Sequence, residues 1–177
     1  MDKKTITKML EYCGMSYKDI QPIKSNYTLK IIDDPETDVQ CYIREKNNET
    51  YITFRGSDSC KDWIYDFKFW KKVIPYDNTS TNIRVHAGFI NAYKSKNVRP
   101  QIHNLINKNT EKITITGHSY GAALAILCAI DLEYNFPKKD YEVYLFGSPK
   151  SCTLRPTHDL YTQLKMTIHL PSTHFSL

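Results

Sequence analysis

The sequence has no long apolar run. No stretch approaches the ~20 apolar residues of a membrane-spanning helix, and the basic start "MDKKTITKML" is not followed by an apolar segment of signal-peptide length. These absences exclude a transmembrane protein and predict a cytoplasmic one made without a signal peptide.

Paired cysteines and blocks of one charge sign are also absent. The five cysteines form no C-x-x-C pair and have no metal-ligand spacing, so we expect reduced thiols in an intracellular compartment and no metal or cofactor. The net charge of +5 is spread along the chain without a basic block, which favours a solvated surface over a nucleic-acid site.

The chain shows no internal repeat and no Pro/Gly-rich linker, and its 177 residues predict a single domain. Hydrophobic periodicity predicts alternating strands and helices after an N-terminal helix. The predicted elements are a hairpin from "DVQCYIREK" and "TYITFRG", an amphipathic helix over 87–107 broken near Pro100, the strand "KITITG", the apolar helix "GAALAILCAIDLEY" and the strand "YEVYLFGSP". This order is typical of an α/β fold with a parallel sheet, whose ligand site lies at the carboxyl ends of the strands.

The stretch "GHSYG" lies where the strand "KITIT" gives way to the apolar helix. A G-x-S-x-G sequence in this context predicts a nucleophile elbow, in which Gly117 and Gly121 leave room for a strained turn at Ser119. The helix amides that follow would face negative charge developing on an attacked carbonyl. The alternative is an ordinary glycine-bounded turn in which Ser119 caps the helix.

A candidate oxyanion hole lies at the end of the earlier predicted strand "TYITFRG". Arg55-Gly56-Ser57 leaves a backbone amide and a hydroxyl at a strand's carboxyl end, as an oxyanion hole requires. From these residues alone, a strand-terminating turn that uses Gly56 for its positive φ is the simpler interpretation.

Four ordered blocks resemble the class 3 lipases, the fungal-type triacylglycerol lipase family of α/β-hydrolases. They are "TFRGSDSCKDWIYDF" (53–67), "RVHAGFINAY" (84–93), "ITITGHSYGAALAILCAIDL" (113–132) and "YLFGSPK" (144–150). The resemblance covers about residues 40–150. It implies an α/β-hydrolase-like, mostly parallel sheet flanked by helices over 1–177, with a divergent tail over 151–177 that leaves the fold incomplete at its C-terminus.

The resemblance also implies a function in lipid metabolism. Ser119 would be the acyl nucleophile, with oxyanion donors at Ser57, through its amide and its hydroxyl, and at the amide of Tyr120, where the family usually has leucine. The substrate would be a carboxylic ester of a lipid at a membrane or droplet surface. Triacylglycerol, phospholipid and small esters all stay open as substrates.

Three further positions follow from the same resemblance. The family places a lid helix after Ser57, which would fall on residues 59–66, although core packing is an equal alternative for the aromatic rings there. His118 is expected to face away from the nucleophile and to pack structurally. His86 matches a family histidine that we expect to be a buried, hydrogen-bonded contact.

The resemblance stops after "FGSPK", where the family's "VGN"-like turn and "N-x-x-D" are missing. A serine hydrolase needs a carboxylate and a histidine beyond the serine. Asp159 with His169 or His174 would satisfy the chain order, but few residues remain to bring them back. We expect a frameshifted or prematurely ended reading frame. The alternative is a catalytically inactive lipid- or partner-binding remnant.

Overall fold

The chain forms a six-stranded mixed sheet in the order β1-β2-β3-β6-β7-β8. The computed structural model describes residues 3–18, 26–57, 71–73, 84–106, 110–148 and 165–169. The strands of this sheet are β1 (Thr28–Asp34), β2 (Val39–Lys46), β3 (Glu49–Phe54), β6 (Lys112–His118), β7 (Asp140–Phe146) and β8 (Met166–His169). A separate antiparallel pair consists of β4 (Lys71–Val73) and β5 (Arg84–His86).

The predicted hairpin is confirmed. Strands β2 and β3 pair antiparallel around a tight turn in which Asn47 has a φ of 55°, a conformation that asparagine tolerates. The structure adds β1, which pairs antiparallel with β2 and which the sequence analysis did not predict. Its inward positions include the carboxylate of Asp34 together with Ile32, so an apolar alternation was not visible there.

The other half of the sheet is parallel, as predicted. Strands β3, β6, β7 and β8 run in the same direction, so their carboxyl ends meet at one edge. In the register of these pairs Phe54 lies beside Gly117, His118 beside Phe146, and Phe146 beside His169. Strand β8 shows that part of the tail after residue 150 belongs to this sheet.

Helices cover both faces of the sheet. On one face α4 (Tyr120–Asn135) is buried from Tyr120 to Leu132 and packs on β3, β6 and β7, which explains its uniformly apolar sequence. On the other face α1 (Lys3–Met15) packs Met9, Tyr12 and Cys13 against strand residues that alternate with the first set. A sheet with helices packed on both faces is the α/β architecture that the sequence predicted.

The helical pattern over 87–107 is divided into α2 (Ala87–Tyr93) and α3 (Arg99–Leu105). Pro100 lies in the first turn of α3, where its missing N–H costs no intrahelical hydrogen bond. The prediction of a break near Pro100 is confirmed. The interruption falls on the residues just before α3.

A buried carboxylate joins these helices to α4. Asp131 has no exposed surface, and it accepts hydrogen bonds from Tyr93 Oη at 2.7 Å and Arg99 Nε at 3.0 Å. Nε2 of His103 lies 2.5 Å from the same carboxylate. Because a buried charge is costly unless it is paired, this network specifies how α2 and α3 dock.

Candidate active site

Ser119 occupies a strained strand-to-helix turn. Its φ of 53° and ψ of −120° lie outside the regions that residues other than glycine normally adopt. Its side chain makes no capping hydrogen bond to the first turn of α4, so the capping-serine alternative is not what the structure shows. The Ser119 amide instead donates to the carbonyl oxygen of Phe146 at 3.0 Å, which ties the turn to the end of β7.

The two glycines of the elbow are required by close backbone approach. A Cβ on Gly117 would lie 2.2 Å from the Gly121 carbonyl oxygen. A Cβ on Gly121 would lie 2.3 Å from the carbonyl oxygen of Phe54. Helix α4 therefore starts directly against the ends of β6 and β3. A side chain at Gly117 would force α4 away from β6, and one at Gly121 would force it away from β3.

This packing brings Ser57 to the elbow. A Cβ on Gly56 would lie 2.8 Å from the carbonyl oxygen of His118, so the backbone that leads into Ser57 runs beside the residue before Ser119. The Ser57 hydroxyl donates a hydrogen bond to the Asp38 carboxylate. Ser57 and Ser119 thus lie at the same sheet edge, as predicted from the strand ends.

Tyr120 is the first residue of α4, and the residue is buried. The ring packs against Phe89 of α2 with 5.5 Å between centroids. Its hydroxyl donates to the carbonyl oxygen of Thr37 at 3.0 Å. The side chain therefore packs in the core and makes one polar contact, while its backbone amide lies in the first turn of the helix.

His118 is exposed and contacts the segment that follows α1. Its Nδ1 shares a 2.8 Å hydrogen bond with Tyr17 Oη, and the two rings meet edge to face. Partial desolvation lowers the pKa of His118, which favours a neutral imidazole at neutral pH. The sequence contained no signal for the contribution of Tyr17.

Some of the predicted lid, acid and histidine positions lie outside the part of the chain that the structure describes in full. The lid segment 59–66, Asp159, and His174 lie outside the described residues. His86 ends β5 and His169 ends β8, and only their backbone positions are described. His169 is the register partner of Phe146, whose carbonyl binds the Ser119 amide.

Among the residues with described positions, no group of three or more His, Cys, Asp or Glu side chains is arranged to hold a metal ion. Within the same part of the chain, no helix combines the length and the apolar character needed to cross a bilayer.

Asp38 and Thr37 are site residues that the sequence analysis missed. The hairpin register pairs Cys41 with Phe54, and three more steps along each strand bring Asp38 opposite Ser57. That register could have been read from the two-residue turn between β2 and β3. The contact between Thr37 and Tyr120 joins residues 83 positions apart, and no local pattern indicates it.

A parallel sheet with a strained serine between a strand and a buried helix is the architecture of an α/β-hydrolase. Solved structures agree on the fold. A triacylglycerol lipase from Penicillium expansum superposes with a TM-score of 0.67 at 17% identity, covering 94% of this chain and 69% of that one. The Rhizomucor miehei triacylglyceride lipase gives a TM-score of 0.62 at 21% identity, covering 82% and 62%.

Residues 51–169 match the family described as lipase (class 3). The match spans more than half of the sequence, and the chain belongs to the class 3 lipase family. The match extends past residue 150, where the four resembling blocks end, and reaches the end of β8.

Curated relatives agree. This chain is 33% identical over 106 residues to a lipase of Rhizomucor miehei, covering 56% of this chain and 28% of the relative. It is 30% identical over 119 residues to the chloroplastic phospholipase A(1) DAD1 of Arabidopsis thaliana, covering 58% and 27%. A secreted mono- and diacylglycerol lipase of Fusarium solani is 30% identical over 121 residues, covering 65% and 34%. The chain spans about a third or less of the length of these relatives.

The expectation of a cytoplasmic protein is wrong. The relatives from Fusarium solani and Malassezia globosa are named as secreted lipases, which points to the outside of the cell. The inference from reduced cysteines to an intracellular compartment fails for a physical reason. Cys13, Cys41 and Cys128 are free and buried, and burial raises the pKa of each, to about 11 for Cys13. Such thiols are unreactive in any compartment.

Proposed function

We propose that this chain is a secreted serine ester hydrolase that cleaves carboxylic esters of lipids, with Ser119 as nucleophile. The strained backbone of Ser119 carries the proposal, because a strained non-glycine residue persists only where the surrounding structure enforces it, and such residues cluster at active sites. Family membership and the names of the relatives support the reaction class.

In the proposed reaction the Ser119 hydroxyl oxygen attacks the ester carbonyl and its proton passes to a histidine base. The carbonyl oxygen becomes an oxyanion, which the amides of Ser57 and Tyr120 stabilise. Collapse of the tetrahedral intermediate expels the alcohol, which takes the proton from the histidine. Water then hydrolyses the acyl-enzyme, releasing the fatty acid and restoring Ser119.

The start of α4 suits this chemistry. The amide of Tyr120 is in the first turn of α4, where the helix dipole favours negative charge. Removing one oxyanion donor from such a site costs about 10²–10³ in kcat. Lipid esters at a membrane or droplet surface are the proposed substrates.

A fluorophosphonate probe tests the proposal, because it labels only an activated serine. We expect covalent labelling of the folded protein, its disappearance in Ser119→Ala, and its persistence in Thr7→Ala, which removes an exposed hydroxyl of α1 as a control. A folded wild-type chain that takes up no probe would support the competing function, a lipid- or partner-binding remnant without the acid and base. Variants Asp159→Asn, His169→Ala and His174→Ala then assign the acid and the base by loss of labelling.

The lipid class is tested on the same protein. Hydrolysis of emulsified acylglycerols is compared with that of phosphatidylcholine vesicles and of a soluble p-nitrophenyl ester, each against Ser119→Ala. Faster turnover of the emulsion than of the soluble ester supports action at a lipid surface.

A further inference from the structure

The turn between β1 and β2 contacts both proposed oxyanion residues. The Asp38 carboxylate accepts a hydrogen bond from the Ser57 hydroxyl, and the carbonyl oxygen of the preceding residue, Thr37, accepts one from the Tyr120 hydroxyl at 3.0 Å. These two acceptors are adjacent in sequence, whereas Ser57 follows β3 and Tyr120 begins the helix after β6. One short turn is thus bonded to both sides of the site.

The bond to Asp38 restricts what the Ser57 hydroxyl can do. A hydroxyl has one proton, and an ionised carboxylate can only accept. While Ser57 donates to Asp38, its hydroxyl presents lone pairs in every other direction, and lone pairs do not stabilise an oxyanion. The backbone amide of Ser57 remains the donor suited to negative charge.

The Tyr120 hydroxyl has no part in the reaction proposed above, where only its backbone amide acts. Leucine, the usual family residue at this position, fills space without a polar group. Here the buried ring is fixed at one end by Phe89 and at the other by the Thr37 carbonyl. Two fixed ends hold the first residue of α4, and with it the amide, in one orientation.

The turn is itself held in place. Asp34 at its start is 1% exposed and accepts hydrogen bonds from Ser95 Oγ at 2.6 Å, Thr37 Oγ1 at 2.8 Å and Asn97 Nδ2 at 3.3 Å. Asp38 at its end has a φ of 54°, in the left-handed region that aspartate tolerates better than most residues. The two acceptors therefore belong to a rigid element anchored on the loop between α2 and α3.

We propose that the β1–β2 turn positions the oxyanion hole, with Asp38 holding Ser57 and Thr37 holding Tyr120, and that the Ser57 hydroxyl is an anchor while its amide binds the oxyanion. This inference rests on the proposed function of Ser119. Asp38 is a positioning residue that acts through Ser57 and does not touch the substrate.

A double-mutant cycle between Asp38 and Ser57 tests the first half. Asp38→Gly removes the carboxylate and suits the positive φ, and Asp38→Asn keeps an acceptor oxygen at the same place. On a soluble p-nitrophenyl ester we expect Asp38→Gly and Ser57→Ala each to lower kcat by about ten-fold to a hundred-fold with little change in KM, as for a misplaced catalytic group. Asp38→Asn retains most of the activity.

The double-mutant cycle distinguishes two roles for the Ser57 hydroxyl, which either anchors the backbone or donates a hydrogen bond to the oxyanion. If the hydroxyl is an anchor, adding Ser57→Ala to Asp38→Gly lowers kcat by no more than about two-fold further, the scatter expected within a cycle. If the hydroxyl binds the oxyanion directly, Ser57→Ala costs about 10²–10³ in both backgrounds, and the inference is overturned. Asp33→Asn, at an exposed aspartate of the same hairpin, is the matched control.

Tyr120→Phe tests the second half, because it removes the hydroxyl and keeps the ring. We expect a fall in kcat of about ten-fold at unchanged KM, with no change in Tyr134→Phe, an exposed tyrosine of the same helix. Equal kcat in Tyr120→Phe and wild type overturns this half. A wild-type protein inert to ester and fluorophosphonate refutes the proposed function itself, whereas a reactive wild type with unaffected variants refutes only the positioning role.

Discussion

The amide nitrogen of Ser119 and the carbonyl oxygen of Phe146 are joined by a 3.0 Å hydrogen bond. This bond fastens the one residue between β6 and α4 to the end of the neighbouring strand. A residue with a φ of 53° and a ψ of −120° needs such external support, because its own backbone energy opposes the conformation.

Relief of this strain is the first prediction. Strain of about 1–3 kcal/mol is released when glycine replaces Ser119, and the entropy of the unfolded glycine offsets about 0.5–1 kcal/mol of it. We expect Ser119→Gly to raise the free energy of unfolding by about 1 kcal/mol over Ser119→Ala, measured in urea. Both variants lose labelling by the fluorophosphonate probe, because neither has the Ser119 hydroxyl. Equal stability of the two would show that the turn is not strained.

The elbow glycines carry the second prediction. Gly121→Ala places a methyl group 2.3 Å from the Phe54 carbonyl oxygen, so β3 and α4 must separate. We expect a loss of about 3 kcal/mol or more of unfolding free energy. Gly14→Ala is the control, since a Cβ there meets nothing within 4 Å and helix propensity predicts a gain of up to about 1 kcal/mol. Similar effects of both substitutions would contradict the packing argument.

Asp131 carries the third prediction. Asp131→Ala removes the carboxylate that pairs with Arg99 and leaves the buried Tyr93 hydroxyl without its acceptor, and we expect the unfolding free energy to fall by about 1–3 kcal/mol. Asp140 pairs with Lys165 at the surface, so Asp140→Ala should change stability little. Thermal unfolding of the two variants side by side checks the contrast, and a stable Asp131→Ala would refute the role of the network.

Acid stability carries the fourth prediction. Burial opposes ionisation of Asp34, but hydrogen bonds from Ser95, Thr37 and Asn97 outweigh it and lower its pKa. A folded pKa below the unfolded one stabilises the protein above the unfolded value, and the contribution is lost as the pH falls below about 3.9 toward the folded pKa.

Unfolding in urea at a series of pH values measures this contribution. We expect Asp34→Asn to be less stable than wild type at neutral pH and to lose less stability on acidification. Asp33→Asn, at the exposed neighbouring aspartate, should retain the wild-type profile. If Asp34→Asn lost as much unfolding free energy on acidification as wild type does, the lowered pKa of Asp34 would be contradicted.

The local elements were accessible from the sequence because each depends on residues near one another. The hairpin, the strand before Gly117 and the buried helix after Ser119 follow from alternation, apolar runs and glycine positions. Strand β1 was missed because its inward face carries a carboxylate, Asp34, whose partners Ser95 and Asn97 lie about sixty positions away.

By itself the sequence determined the α/β fold, the family and the position of the elbow, since strand and helix periodicity and the G-x-S-x-G spacing are properties of short segments. Only the tertiary structure decided that Ser119 is strained and does not cap its helix. It also decided that the β1–β2 turn bonds to Ser57 and Tyr120. Such contacts join residues far apart in the chain, and they exist only once the sheet has set its register and α4 has packed against β3.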